Sequence, residues 1–155
     1  VTGFFHNPNI HPEKEYRRRL AEAEAVGRAM GFPLLHPRYH PGAWHQAVKG
    51  LESEPEGGLR CVVCFRLNLR AAARKACELG LPLFTTTLTL SPHKPSDRIM
   101  TIGNEAGEEF GVLFLAEDFK KRDGFKRSLD LSREMRLYRQ HYCGCRYSLR
   151  EELGA

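Results

Sequence analysis

The sequence predicts an α/β protein: a parallel sheet with helices on both faces. Three observations carry this. Short apolar runs alternate with amphipathic stretches along the 155 residues, the order that yields strand, crossover helix, strand. The runs "FPLLHP" and "GVLFLAEDF" are of the buried type, and "LPLFTTTLTL" is rich in β-branched residues. Polar loops follow the strands, "HNPNIHP", "SPHKP" and "EDFKKRDG", and each carries His or Lys. In such sheets the working residues lie at the carboxyl ends of strands. The length suits one domain with a real core.

The elements follow in order. Val1 to Phe5 reads as a strand and "HNPNIHPEK" as a turn rich in Asn and Pro. Tyr16, Leu20, Ala23, Gly27 and Met30 fall at helical spacing, predicting a helix from Glu13 to Met30 that Gly31 stops. Arg17, Arg18 and Arg19 are expected mostly to face water. "PGAWHQAVKGLE" predicts a shorter helix with Pro near its start. "ESEPEGG" is a polar loop leading to Cys61, where a helix begins and runs to Leu79. Its apolar stripe is Phe65, Leu69, Ala72, Ala76 and Leu79, with Arg66, Arg70 and Arg74 as a basic stripe beside it. Ile99, Ile102, Ala106 and Phe110 mark a fourth helix, and Lys126 to Tyr138 a last one. There is no internal repeat. No Gly-rich phosphate fingerprint follows any strand, which argues against a dinucleotide or P-loop enzyme.

The chain carries 24 Lys+Arg against 19 Asp+Glu, a formal charge of +5. That permits a polyanionic partner without proving one. No run has the length of a membrane span and no signal peptide opens the chain, so a cytoplasmic protein without membrane contact is expected. Five cysteines in a reducing compartment read as metal or redox groups rather than a disulfide framework. The chain opens on "VTGFF" with no initiator Met. A strand so early needs neighbours, so either the sequence begins within a domain or a start codon is assigned too far downstream.

Two thiol pairs stand out. Cys61 and Cys64 form a C-x-x-C where a loop becomes a helix, a spacing that lets both sulfurs reach one ion or cluster. The helix N-terminus favours thiolate over thiol. Cys143 and Cys145 form a C-G-C, whose disulfide would close too short a loop to be relaxed and should reduce easily. Cys77 points away from Cys64 at about 100° per residue and reads as a core cysteine. Two readings stay open on spacing alone. Four thiols could close a structural zinc site, or one pair could hold an electron-transferring cluster while the other works as a dithiol.

"GFFHNPNIHP", "VKGLESEPEGGLRCVVCF", "FTTTLTLSPHK", "EDFKKRDGFKRS" and "LYRQHYCGCRYS" together resemble the QueH-type epoxyqueuosine reductases, in the family's order over nearly the whole chain. The resemblance implies a Rossmann-like (HUP-like) sheet. It implies an oxidoreductase that converts epoxyqueuosine to queuosine at the wobble position of certain tRNAs. It further implies a [4Fe-4S] cluster held by Cys61, Cys64 and an adjacent cysteine pair near the amino terminus, with Cys143 and Cys145 as a redox-active disulfide. Family members have a strand, a loop with two adjacent cysteines and a helix before the "GFF" strand, and this sequence has none of them. A Val start fits a GTG codon taken for an initiator. The expectation is a single α/β domain over residues 1–155, with a Cys-containing redox tail at 140–150. It is truncated by its first strand-loop-helix unit and by two cluster ligands, so inactivity of this short chain is part of the expectation.

Removing an epoxide oxygen to leave an alkene takes two electrons and two protons, with loss of water. A cluster passes electrons singly and a dithiol holds two; an adjacent mononuclear metal ion is a further candidate, as Lewis acid on the epoxide oxygen. His93, after the clearest strand, is the first candidate proton donor, with a surface-loop histidine as the plain alternative. Asp118 is a candidate metal ligand or a turn cap. His6 and His11 flank the first turn and read as solvated. Lys94, Lys120 and Lys121 are candidate substrate-binding residues. Basic residues from Lys120 to Arg150 suit the phosphates of a tRNA anticodon arm, and binding there would be salt-sensitive. A wobble base is reached in a splayed loop with aromatic stacking; Trp44 is a candidate platform, though an anchor for its own helix is the favoured reading. An external electron donor is required. The alternative function is a non-catalytic RNA-binding module with a structural four-cysteine zinc site.

Overall fold

A computed structural model of the chain describes residues 1–149; Arg150 lies outside the described residues. The order is β1 (Gly3–Phe4), α1 (Glu13–Met30), β2 (Leu34–Leu35), α2 (Pro41–Ala47), α3 (Leu59–Glu78), β3 (Leu83–Phe84), a 3₁₀ turn (Thr87–Leu90), α4 (Ser96–Phe110), β4 (Leu113–Phe114) and α5 (Gly124–Glu134). This is a mixed α/β architecture compatible with a Rossmann-like fold. Pairing is parallel, as expected: Gly3 opposite Leu34 and Leu83 opposite Leu113. The single sheet is not continuous. Among the described residues there are two separate two-stranded sheets, β1–β2 and β3–β4.

The run "LPLFTTTLTL" shows why the strands are shorter than expected. Only Leu83 and Phe84 enter the ladder. The Thr86 hydroxyl accepts the Leu88 N–H and turns the chain into the 3₁₀ segment. Thr85 and Thr89 donate their hydroxyls to the Leu115 and Glu117 carbonyls. Threonines that read as β-formers serve instead as turn and bridging groups.

Helix α3 packs on α4 and on one face of β3–β4. Phe65, Leu69, Ala73 and Ala76 meet Phe84, Ile99, Ile102, Ala106 and Val112 in one core. Two glycines let α4 lie close to β4: a Cβ at Gly103 would stand 2.4 Å from the Phe114 ring, and one at Gly107 2.5 Å from the Val112 carbonyl oxygen. The opposite face of β3–β4 is uncovered among the described residues, with Leu83, Leu113 and Leu115 48, 73 and 48% exposed. Parallel sheets are normally covered on both faces, so helices on both faces hold for this pair on one side only.

Three expectations at residue level are corrected. Cys77 is exposed, not a core residue, because the buried stripe of α3 runs through Ala73 and Ala76 and passes it by. Leu79 is exposed at the helix end. Arg19 faces inward: its side chain is 11% exposed and pairs at 2.7 Å with Glu15, itself 12% exposed, whereas Arg17 pairs with Glu13 at the surface. Gly31 does end α1, at φ +72° with its N–H on the Gly27 carbonyl. Trp44 is 1% exposed; it anchors α2 and offers no stacking surface. No described helix is long and apolar enough to cross a membrane.

Candidate active site at the two thiol pairs

Cys61 and Cys64 lie in the first two turns of α3, which starts after Gly58. The Glu54 carboxylate accepts the Leu59 N–H at 2.8 Å and caps the helix from the preceding loop. Arg60 holds that loop. It is 3% exposed, and its Nη1 lies 3.1 and 3.2 Å from the Leu51 and Glu52 carbonyls, with the Glu54 carbonyl also in reach. Its guanidinium stacks on the Tyr147 ring at 4.6 Å. One buried cation thus ties the C-x-x-C loop to the carboxyl-terminal tail. No periodicity marked Arg60, since arginine is among the residues least often buried.

The tail is fastened to α1 and to the loop after β1. Arg19 donates to the Cys143 and Tyr142 carbonyls at 2.9 and 3.2 Å. Tyr138 donates its hydroxyl to Glu15 at 3.0 Å. His11 donates its N–H to the Gly144 carbonyl at 2.7 Å. Gly144 sits at φ +131° with Arg19 Nη1 3.0 Å from where a Cβ would be, so only glycine fits between the two cysteines.

The pairs meet. Cys145, 7% exposed, packs with Trp44 and Val48 in a small core that also takes Cys64 and Tyr147. Cys64 and Cys143 both line a cavity of about 800 Å³, with Asn9, Asn68, His93 and Lys94 also on its wall. Asn68, four residues after Cys64, donates to the Cys64 carbonyl at 3.1 Å and approaches its sulfur at 3.6 Å. His6 Nδ1 lies 3.1 Å from Asn68 Oδ1. Burial lowers the His6 pKa, which keeps its ring neutral near pH 7. His6, expected to be solvated, is a half-buried part of this network. Asn68 went unnoticed in the sequence, although a polar residue one helical turn past a cysteine is a usable signal.

Burial, not the helix terminus, governs the first thiol pair. Desolvation raises the Cys61 thiol, opposed by the Gly57 N–H at 3.2 Å. Desolvation pushes Cys64 from 9.0 up to about 12; the Trp44 indole N–H is near, but Nε1 makes no hydrogen bond of acceptable geometry. Both sulfurs are therefore protonated in the metal-free chain. A raised thiol pKa in the folded state stabilises it below the ordinary thiol value, and that contribution is lost as pH climbs from about 9 towards about 12. At pH 8, iodoacetamide should label exposed Cys77 about tenfold or more faster than Cys64, read by peptide mass spectrometry. Equal rates would contradict the burial.

Among the described residues no three or more His, Cys, Asp or Glu side chains gather as a metal site. Cys61 and Cys64 could supply two of the four thiolates that an iron–sulfur cluster takes, half a set. Asp118 Oδ1 is buried without a hydrogen-bond partner, 3.9 Å from Lys120 Nζ, an unmet acceptor that suits a cation. Lys120 donates to the Lys94 carbonyl at 2.8 Å and to Ser96 Oγ at 2.7 Å. Lys121 and His93 are exposed. The Arg66, Arg70 and Arg74 stripe is paired with Glu105, Glu109 and Glu78, which leaves little free charge there.

Comparison with known proteins adds the following. The family model described as "Epoxyqueuosine reductase QueH" matches residues 1–151. Proteins of that name from Streptococcus pyogenes serotype M1, Histophilus somni and Haemophilus influenzae are 42, 39 and 38% identical to this chain. The matches cover 96, 97 and 97% of this chain and 60, 62 and 62% of those proteins. The chain thus spans about three-fifths of the length of these curated relatives.

Proposed function

This chain belongs to the QueH family of epoxyqueuosine reductases, and from that premise we propose that it serves the two-electron reduction of the epoxide of epoxyqueuosine to queuosine at the tRNA wobble position. The observation that carries this is that one cysteine of each thiol pair, Cys64 and Cys143, lines a single cavity, with Cys64 and Cys145 packed on the same Trp44–Val48 core.

The residues divide the work. Cys61 and Cys64 would hold one edge of a [4Fe-4S] cluster, which when bound supplies electrons one at a time. Cys143 and Cys145 hold the reducing pair: closing their disulfide releases two electrons and two protons, the amount an epoxide needs to become an alkene and water. An external donor then reopens it. His93, exposed on the cavity wall, is the proton donor to the departing oxygen. Asp118 would take an adjacent mononuclear metal ion with its unmet oxygen. Lys121 and the exposed arginines of the carboxyl-terminal third contact phosphates of the anticodon arm, so binding weakens with salt. Lys94, on the cavity wall and held through its carbonyl by Lys120, shapes the surface against which the nucleoside rests. A substrate carried on tRNA suits a cytoplasmic location.

On this reading the acting form carries a further strand-loop-helix unit that supplies the two remaining cluster thiolates. Support comes from the split sheet. Among the described residues the two half-sheets are not hydrogen-bonded to each other, and Phe5 after β1 and Thr87 after β3 line the same cavity. Leu83, Leu113 and Leu115 await a covering helix. Right-handed crossovers place the helix joining such a strand to β1 on the face that α1 occupies.

The test uses a form extended upstream, purified without oxygen beside the 155-residue chain. The extended form should be brown, contain iron and sulfide, and convert epoxyqueuosine in tRNA to queuosine, read by nucleoside mass spectrometry. An iron-loaded extended protein that leaves epoxyqueuosine unchanged with dithionite present would overturn the activity. A colourless protein with one zinc on Cys61, Cys64, Cys143 and Cys145 would overturn the division of labour.

A further inference from the structure

The two sulfurs of the C-G-C pair stand in opposite surroundings. Cys143 is half-buried on the cavity wall, and Lys94 Nζ lies 3.2 Å from its sulfur. Cys145 is buried against Trp44 and Val48. Its sulfur has one polar neighbour, Ser148 Oγ at 3.5 Å, and that hydroxyl already serves the Cys145 carbonyl at 2.9 Å and the Gly144 N–H at 3.3 Å. Cys145 has no cation at its sulfur among the described contacts, and Lys94 has no carboxylate partner among the described ion pairs.

The position of Lys94 is built. Its N–H donates to the Ser91 carbonyl, and its carbonyl accepts Lys120 Nζ, which also grips the buried Ser96 hydroxyl. A lysine beyond β4 therefore pins the loop that carries another lysine to a sulfur 49 residues away in sequence. Two ammonium groups arranged in series are not what a phosphate-gripping surface needs. They are what holding one positive charge at one sulfur needs.

We propose that Lys94 is a charge-stabilising residue of the dithiol that makes Cys143 the attacking sulfur and leaves Cys145 as its resolving partner, with Lys120 as the positioning residue for Lys94. This rests on reading Cys143 and Cys145 as a working dithiol. The thiolate is the nucleophile in thiol chemistry, and a neighbouring ammonium stabilises the negative charge on sulfur. In an interchange with a disulfide reagent, the Cys143 sulfur forms a bond to one reagent sulfur and the other leaves as thiolate. Cys145 then attacks the Cys143 sulfur, releases the second reagent thiolate, gives up its proton to water, and closes the protein disulfide.

The experiment follows each cysteine separately. The reduced chain is treated with iodoacetamide at pH 7; the sulfur–carbon bond forms as iodide leaves, and peptide mass spectrometry reads the rate at each site. Cys143 should react about tenfold faster than Cys145. Lys94→Met and Lys94→Gln should each slow Cys143 about fivefold or more, and Lys94→Arg should keep about half the rate or better. Lys120→Met should give part of the loss. Exposed Cys77 is the internal reference and should not change, and Cys64 should stay unlabelled, which separates a charge effect from unfolding. Rates at Cys143 within about twofold of the parent in both Lys94→Gln and Lys94→Met, or a faster Cys145, would overturn the proposal. Diamide treatment distinguishes the underlying reading. If the pair closes, seen as loss of two hydrogens in mass, yet the Lys94 variants react normally, the dithiol stands and Lys94 falls. If the pair never closes, both fall together.

Discussion

Replacing Cys143 by Ser is expected to lower multiple-turnover reduction of epoxyqueuosine by about 10³-fold or more while leaving the fold intact. The serine hydroxyl is nearly isosteric and cannot form a disulfide, so the proposed two-electron reservoir would be lost. The position tolerates the change because Cys143 is half-buried at a polar wall, with Lys94 within reach. A hydroxyl there keeps a hydrogen-bond partner. Cys145→Ser is the harsher substitution, since it places a hydroxyl against Trp44 and Val48 at a cost of about 1–3 kcal/mol. Cys143→Ser thus separates chemistry from packing. The measurement is queuosine formed per enzyme in tRNA digests, beside the thermal midpoint of the same preparation. Full multiple turnover in Cys143→Ser would remove the dithiol from the reaction, and a collapse of the midpoint would make the loss structural.

Arg60→Ala is expected to be the most destabilising substitution of a charged residue in the described chain. The side chain is buried, sits among three backbone carbonyls of the 51–54 loop, and stacks on Tyr147. Truncation leaves those acceptors without a donor, at a cost of about 3 kcal/mol or more. For a domain of this size that lowers the midpoint by about 6–12 °C. The effect reaches the chemistry, because the same side chain links the loop ahead of Cys61 to the tail that bears Cys145. Loosened thiol pairs should show as faster iodoacetamide labelling of Cys64 and Cys145 at temperatures below the transition. Arg60→Lys should restore little, because an ammonium lacks the planar fork and the stacking face. A midpoint within about 2 °C of the parent would mean that the loop is held by something else.

Helices α1, α3 and α4 were legible because each is long enough to repeat its pattern, whereas α2 stops at Ala47 and α5 at Glu134, short of the expected Glu52 and Tyr138. In α1 the spacing marked the inward face from Tyr16 to Gly27, although Met30 at its end is exposed, and Gly31 closed the helix where expected. In α3 Phe65, Leu69 and Ala76 marked the buried stripe. The strands were legible in place and direction but not in length. Two-residue ladders carry no period, and threonine reads as a strand former until its hydroxyl finds a backbone group, as Thr86 does with the Leu88 N–H. At the site, both cysteine pairs were visible as motifs, since spacing within a turn or a tight bend is local.

The sequence by itself determined which atoms are the candidates for chemistry: two thiol pairs, their spacing, the helix that presents the first of them, and the family whose motifs they share. Tertiary structure alone decided what surrounds those atoms. It brought Cys145 and Cys64 onto one tryptophan, set Lys94 against Cys143, and sank Arg60 and Arg19 to hold the loop and the tail. It also turned Cys77 outward and closed Trp44 off from any base. The physical reason is range. Helical period and turn chemistry act over a few residues, whereas desolvation and charge pairing depend on neighbours that the chain supplies from more than a hundred positions away, as it does between Arg19 and Cys143.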